Sequence, residues 1–272
     1  MLKLYTGDVV AATSSKGNQE KWFDGKANKW YKVDTMGFEA LAETAASRIF
    51  KLSNIERELG YTIVPYSIEK VAVHKKEKIG CVSKNFLATD EELITLSHLL
   101  KRELGKEFQK SFRSKRTIGE RMKALVDTTQ RVTGLDRFGE YLTLLFEADA
   151  LILNEDRHLN NIAVIYSPRG YSYCPLFDNG ASFLLDIAAF PLDVDTKSFF
   201  GKVTAKPFQC TFTSQVSAAR KLYGRQLKIS IDKEELLNIL RPTLEFYPKM
   251  YRGYLMERMT DVIITQKSKL GL

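Results

Sequence analysis

Cysteine and histidine are scarce: 272 residues hold 3 of each. Cys81, Cys174 and Cys210 are widely spaced and form no C-x-x-C pair. That excludes a zinc ribbon and a disulfide framework and fits a reducing cytoplasm. His74, His98 and His158 are too few for a histidine-rich metal site. No apolar run approaches the ~18 residues that a membrane span needs. The most apolar stretch, Tyr141–Leu153, is interrupted by Thr143, Glu147 and Asp149. Met1-Leu2-Lys3-Leu4-Tyr5 lacks the apolar core of a secretion signal. The expectation is a cytoplasmic chain with no membrane partner.

What is present describes a folded globular protein: 44% hydrophobic, 27% charged and 11% aromatic residues. At roughly 150 residues per domain, the length suits one two-lobed unit. Lysine and arginine (41) exceed aspartate and glutamate (33), for a net charge of +8. Such an excess favours an anionic partner such as a nucleotide, RNA or an acidic protein without choosing among them. Much of it lies in Lys101–Lys123, with Lys106, Lys110, Arg113, Lys115, Arg116 and Arg121. We read this segment as a solvated helical surface, with a docking patch for an acidic or RNA-bound partner as the alternative.

Hydrophobic period divides the chain near residue 90. Before it, Leu2 and Leu4 alternate with polar residues and Lys29–Val33 reads as a strand. Ser67–His74 and Gly80–Phe86 read as a hairpin across Lys75-Lys76-Glu77-Lys78. One helix interrupts them, since Phe38, Leu41, Ala42, Ala45, Ala46, Ile49 and Phe50 share one face. After residue 90, Glu91–Leu104, Thr117–Val132 and Arg137–Leu153 read as helices, the last apolar on most sides. Asn161–Tyr166 and Tyr171–Phe177 read as strands joined by Ser167-Pro168-Arg169-Gly170. Asp232 and Glu235 suggest a capping box opening Lys233–Leu240, and Tyr247 to Ile263 carries a long amphipathic face. The predicted fold class is α+β: a small antiparallel sheet lobe with one helix (1–88) and a larger, mainly helical lobe (89–272).

The most informative stretch is Asn154-Glu155-Asp156-Arg157-His158-Leu159-Asn160-Asn161, where an apolar helix gives way to a polar loop and then a strand. Asp178-Asn179-Gly180 follows at the end of the next strand. Phosphoryl transfer from ATP needs one carboxylate to accept a hydroxyl proton. It also needs an amide oxygen on one Mg²⁺ and a second carboxylate holding metal against the phosphates. Asp156 and Asn161 have the five-residue interval of a kinase catalytic loop, although Asn160 competes with Asn161. Asp178 occupies the place of the second carboxylate. Thr13 to Lys21 supplies small residues and Gly17, which let backbone N–H groups approach phosphate. Lys32 is the candidate to reach the α- and β-phosphates, with Lys21 as competitor. Glu39 and Glu43, one helical turn apart, are both able to orient Lys32.

Several of these segments resemble the signatures of HipA-type serine/threonine kinases. They are Ser14-Ser15-Lys16-Gly17-Asn18-Gln19-Glu20-Lys21, Asn154-x-Asp156-Arg157-His158-x-x-Asn161 and Pro175-Leu176-Phe177-Asp178, followed by Ala205-Lys206-Pro207-Phe208. The Asp-Arg-His-x-x-Asn block is shared with phosphoinositide kinases, whereas the Ser-x-x-Gly-x-Gln-x-Lys loop points to the HipA type. The resemblance implies a two-lobed protein-kinase-like fold, ATP with Mg²⁺, and transfer to serine or threonine on a protein. It assigns Asp156 as base, with Lys32 and His158 beside it as catalytic residues, and Asn161 and Asp178 as metal ligands. Ser14, Ser15, Lys16, Gly17, Asn18, Gln19, Lys21, Lys32 and Glu39 become the ATP-binding set. Ser14 matches a loop serine whose autophosphorylation silences relatives. Such kinases often act as toxins on translation factors and are neutralised by a DNA-binding antitoxin. Full-length members carry an extra N-terminal subdomain, and here the loop begins within fifteen residues of Met1, so a compact form is expected. The alternatives are a lipid or small-molecule kinase with the same machinery, or a non-enzymatic nucleotide- or nucleic-acid-binding regulator.

Overall fold

Alternation in the first third of the chain becomes one sheet in the computed structural model, which describes residues 2–4, 21–105 and 115–272. Strands β1 (Leu2–Leu4), β2 (Lys21–Asp24), β3 (Lys29–Val33), β4 (Ser67–Val73) and β5 (Lys76–Lys84) are ordered β1-β4-β5-β3-β2. The hairpins are antiparallel, but the edge strand β1 pairs parallel to β4, so the sheet is not wholly antiparallel. The β4–β5 turn is tighter than expected. His74 and Lys75 both take positive φ, 49° and 66°, the backbone that matches strand twist in a two-residue hairpin loop. One face of the sheet buries Trp22, Tyr31, Val33, Val71, Val73 and Val82 together. The alternation of β3 sends Lys32 to the opposite face, where its backbone partner is Cys81. A Cβ on Gly80 would stand 2.6 Å from the Lys32 carbonyl oxygen, so only glycine lets β5 lie this close.

Helix α1 (Glu39–Phe50) covers the face that carries Lys32, and its small alanines bury almost the whole helix. Asp34 caps its first turn by accepting from the Ala40 N–H at 2.7 Å. The other side of α1 enters the main core, with Leu41, Ile49 and Phe50 packed among the later helices.

The predicted helix Glu91–Leu104 divides in two. Glu92–Thr95 is strand β6, because Leu93 and Ile94 pair with Ile165 and Val164, and only Leu96–Leu104 forms helix α2. Thr95 marks the switch by accepting the His98 N–H. Strands β7 (Ala163–Ser167) and β8 (Gly170–Tyr173) complete a small sheet ordered β6-β7-β8, both shorter than predicted. Helix α3 (Ile118–Thr133) opens on a reciprocal Thr117–Glu120 capping box. Helix α4 (Phe138–Ile152) is buried on every side, as its apolar pattern predicts. Helices α5 (Phe212–Tyr223), α6 (Lys233–Leu244) and α7 (Lys249–Leu270) follow; α6 runs past Leu240 through Pro242, and α5 was not anticipated. Arg258 of α7, 1% exposed, donates to the carbonyls of Leu184, Phe190, Pro191 and Val194 and holds the segment after Asp178 in place. No helix among the described residues is long and apolar enough to cross a membrane.

Candidate active site

The loop after α4 is fixed from beneath by one guanidinium. Arg157, 2% exposed, bonds both carboxylate oxygens of Asp149, the carbonyls of Asn161 and Phe177, and Oδ1 of Asn179. Burial works against its charge, yet the attraction and hydrogen bonds of Asp149 hold it above the ordinary arginine range. Arg157 thereby ties the 154–161 loop to the strand end that presents Asp178. Asn154 adds a bond to Asp149 at 2.8 Å and accepts the Asp156 N–H at 3.2 Å.

Above this clamp, Lys32 shares its ammonium between Glu43 and Asp178, with Asp178 Oδ1 at 2.7 Å. Lys21 Nζ stands 3.7 Å from Asp178 Oδ2. The second oxygen of Glu43 accepts the Asn179 N–H at 2.8 Å, so α1 grips the backbone beside Asp178. Burial pushes the Asp178 carboxyl up, but Lys32 and Lys21 more than reverse this and hold it well below the usual carboxylate range. Burial likewise opposes the charge on Lys32, and Asp178 and Glu43 overcome it, leaving the ammonium well above its ordinary value. On Lys21 burial prevails and lowers the value.

Asp156 faces the same space from the loop. Its Oδ1 accepts from Lys206 Nζ at 2.8 Å, and its Oδ2 lies 3.7 Å from His158 Nε2. The Asn161 amide nitrogen donates to the Asp156 carbonyl at 2.9 Å, which leaves Asn161 Oδ1 buried with no hydrogen-bond partner among the described residues. Two cavities meet at Lys21 and Asp178. One, of about 170 Å³, is bounded by Asp156, Asn161, Glu155 and Leu153. The other, of about 140 Å³, is walled by Trp30, Tyr66, Phe86, Leu87 and Phe177, with Lys32 also in its lining.

No family model matches the chain, and no curated protein matches it. Among solved structures it is similar to the proinflammatory kinase CtkA of Helicobacter pylori. The TM-score is 0.53 at 17% identity, over 95% of this chain and 94% of that one. The fold is that of a two-lobed kinase. HipA of Shewanella oneidensis MR-1, solved with HipB and operator DNA, aligns with a TM-score of 0.45 at 11% identity, over 94% of this chain and 65% of that one.

Within this kinase fold, Lys21, Lys32, Asp156, Asn161 and Asp178 line the paired cavities, and His158 stands beside Asp156 without lining either. Asn161 rather than Asn160 lines the first cavity. Of the two glutamates left open by the sequence, Glu43 pairs with Lys32. Glu39 instead accepts the backbone N–H groups of Thr35, Met36 and Gly37 and edges the first cavity. Ser14, Ser15, Lys16, Gly17, Asn18 and Gln19 lie outside the described residues, as do Lys106, Lys110 and Arg113 of the basic segment. Sequence reasoning gave no role to Asp149, Lys206 or the aromatic wall. Asp149 had a readable signal, an acid on the most apolar helix of the chain. Of the aromatics, Phe177 lies in the Pro175–Asp178 segment and Trp30 on the predicted strand, but Tyr66 and Phe86 stand alone in sequence and carry no signal.

Proposed function

We propose that this chain is a protein serine/threonine kinase that uses MgATP, with the phosphate-side residues at the junction of the two cavities. The observation that carries the reading is the convergence of Asp156, Asn161 and Asp178 on one cavity, which shares Lys21 and Asp178 with an apolar pocket that Lys32 also lines. An aromatic-walled slot suits a purine, and cationic side chains beside it suit phosphates.

The residues present also fit a magnesium ion. Asn161 offers a buried amide oxygen that nothing else among the described residues uses, and Asp178 is a carboxylate kept ionised by its lysines. Mg²⁺ asks for one or two such oxygens and completes its shell with phosphate and water. Asn161 and Asp178 would hold it; when bound, it neutralises charge on the phosphates. The chain's own groups do the rest. Lys32 orients phosphate oxygens while Glu43 holds Lys32, and Asp156 accepts the acceptor's hydroxyl proton. Serine or threonine on a protein as the acceptor, Ser14 as an autophosphorylated residue, and an antitoxin partner rest on the HipA-type sequence resemblance.

The test is incubation of the chain with γ-labelled ATP, Mg²⁺ and a cell lysate. The expected result is label on protein phosphoserine or phosphothreonine, and Ser14→Ala should remove the main labelled peptide of the chain itself. Label confined to lipid extracts or small molecules would move the assignment to the other kinase class. No Mg²⁺-dependent label anywhere would leave only a binding module.

A further inference from the structure

We propose that Lys206 is a further catalytic residue, a cation that holds Asp156 and touches the phosphoryl group in transfer; this rests on the kinase reading above. Among the described residues, the basic group nearest the expected base is not His158 of the same loop, whose Nε2 is 3.7 Å from Oδ2. It is Lys206, fifty positions downstream, at 2.8 Å from Oδ1. The backbone that carries it is fixed. Ala205 and Cys210 exchange backbone hydrogen bonds, and the buried Gln215 donates to the Lys206 carbonyl at 3.0 Å. The side chains themselves reach solvent, with Lys206 39% and Asp156 34% exposed. An ion pair this open adds little to stability, so the fold alone does not account for so deliberate a placement.

The geometry divides the work of the Asp156 carboxylate. Lys206 occupies Oδ1, while Oδ2 has, among the described residues, only an Asn161 contact at 3.4 Å and His158 beyond it, and is left to take a proton. The acceptor hydroxyl gives its proton to Oδ2 as its oxygen bonds the γ-phosphorus. The bond from that phosphorus to the β–γ bridging oxygen breaks, and its electron pair leaves on ADP. A hydroxyl within about 2.6–3.2 Å of the carboxylate brings the moving phosphoryl alongside the Lys206 ammonium. The ammonium balances charge spread over the equatorial oxygens.

The experiment compares wild type, Lys206→Met and Lys206→Arg. It measures initial rates of γ-phosphate transfer to the chain itself and to casein over a range of ATP concentrations, beside melting curves. Lys206→Met should lower kcat by about 100-fold or more, with the KM for ATP within about threefold and melting unchanged. Lys206→Arg should recover much of the loss. An inactive wild type overturns the kinase reading and this proposal with it. An active wild type with Lys206→Met within threefold in kcat overturns this proposal alone. So does a loss carried by KM, or one accompanied by lower melting and no rescue by arginine.

Discussion

Lys32, 7% exposed, divides its charge between Glu43 and Asp178, and that division sets what each carboxylate is free to do. Replacing Asp178 by asparagine keeps the shape and removes the charge. Lys32 retains Glu43, so the variant does not strand a buried cation, the situation that makes broken buried pairs costly. Asp178→Asn should therefore lower phosphate transfer by at least about 100-fold. Its melting temperature should fall by only a few degrees, about 1–2 kcal/mol. Labelled-phosphate assays and thermal melts on one preparation check both halves, and wild-type-like transfer would remove Asp178 from the mechanism. Glu43→Gln should act in the other order. Among the described residues Asp178 then becomes the sole carboxylate on Lys32, and the KM for ATP should rise together with a fall in kcat. At this scale the Asp156–Asn161 interval was legible because the chemistry itself fixes that spacing within one loop. The choice between Glu39 and Glu43 was not, since both lie on one helical stripe. What separates them is the turn just before the helix, where the N–H groups of Thr35, Met36 and Gly37 claim Glu39. Lys206 sits in the Ala205-Lys206-Pro207-Phe208 segment of the resemblance, but it reaches Asp156 only through tertiary packing, so nothing local names that partner.

Helix α1 positions Glu43, and its N-terminus hangs on Asp34, whose two oxygens accept from the Ala40 N–H at 2.7 Å and the Tyr247 hydroxyl at 2.9 Å. Burial pushes the Asp34 carboxyl up to about 7, against the two hydrogen bonds. The folded value thus lies above the ordinary one, so the stability this group contributes is fully present below about pH 4. It is lost as pH rises through about 7. Asp34→Asn should leave a protein whose stability falls less than that of wild type between pH 5.5 and 8. The difference should be on the order of a few kcal/mol at most. Urea melts at the two pH values measure it, and parallel slopes for wild type and variant would remove Asp34 as the cause. The elements that sequence pattern revealed, β3, α1, α3 and α4, are those whose apolar period is decided by a single neighbour or by burial all round. In Glu92–Thr95, Leu93, Ile94 and Leu96 fit either a helical or a strand period, and pairing with β7 decides for strand. Helix α5 was missed because only Phe212, Gln215, Val216 and Ala219 turn inward, a stripe one polar residue wide of an obvious face.

Across the whole molecule, the two lobes meet along a strip in which the candidate site is only one contact. Glu43 bonds the Asn179 backbone, Phe38 packs edge-on against Tyr247 and Tyr251, and Gly37 bridges Asp186 beside the Phe38–Leu185 hydrogen bond. The alignment of Lys32 over Asp178 therefore depends on how closely residues 37–38 approach 185–186. A Cβ on Gly37 would overlap the Leu185 carbonyl oxygen, a backbone atom that the Arg258 clamp on the same segment keeps from yielding. Gly37→Ala should accordingly push the lobes apart, lowering the melting temperature by several degrees and transfer by more than about tenfold. Gly253, inside α7, has nothing within 4 Å of an added Cβ. Gly253→Ala should do the opposite for stability, raising it by about 0.5–1 kcal/mol through helix propensity with transfer unchanged. Melting curves and initial rates on the two variants separate close approach from generic glycine effects. Equal responses would mean that the interlobe strip does not set the alignment. A Gly37→Ala protein that melts early yet transfers phosphate normally would mean that Lys32 and Asp178 find each other without it.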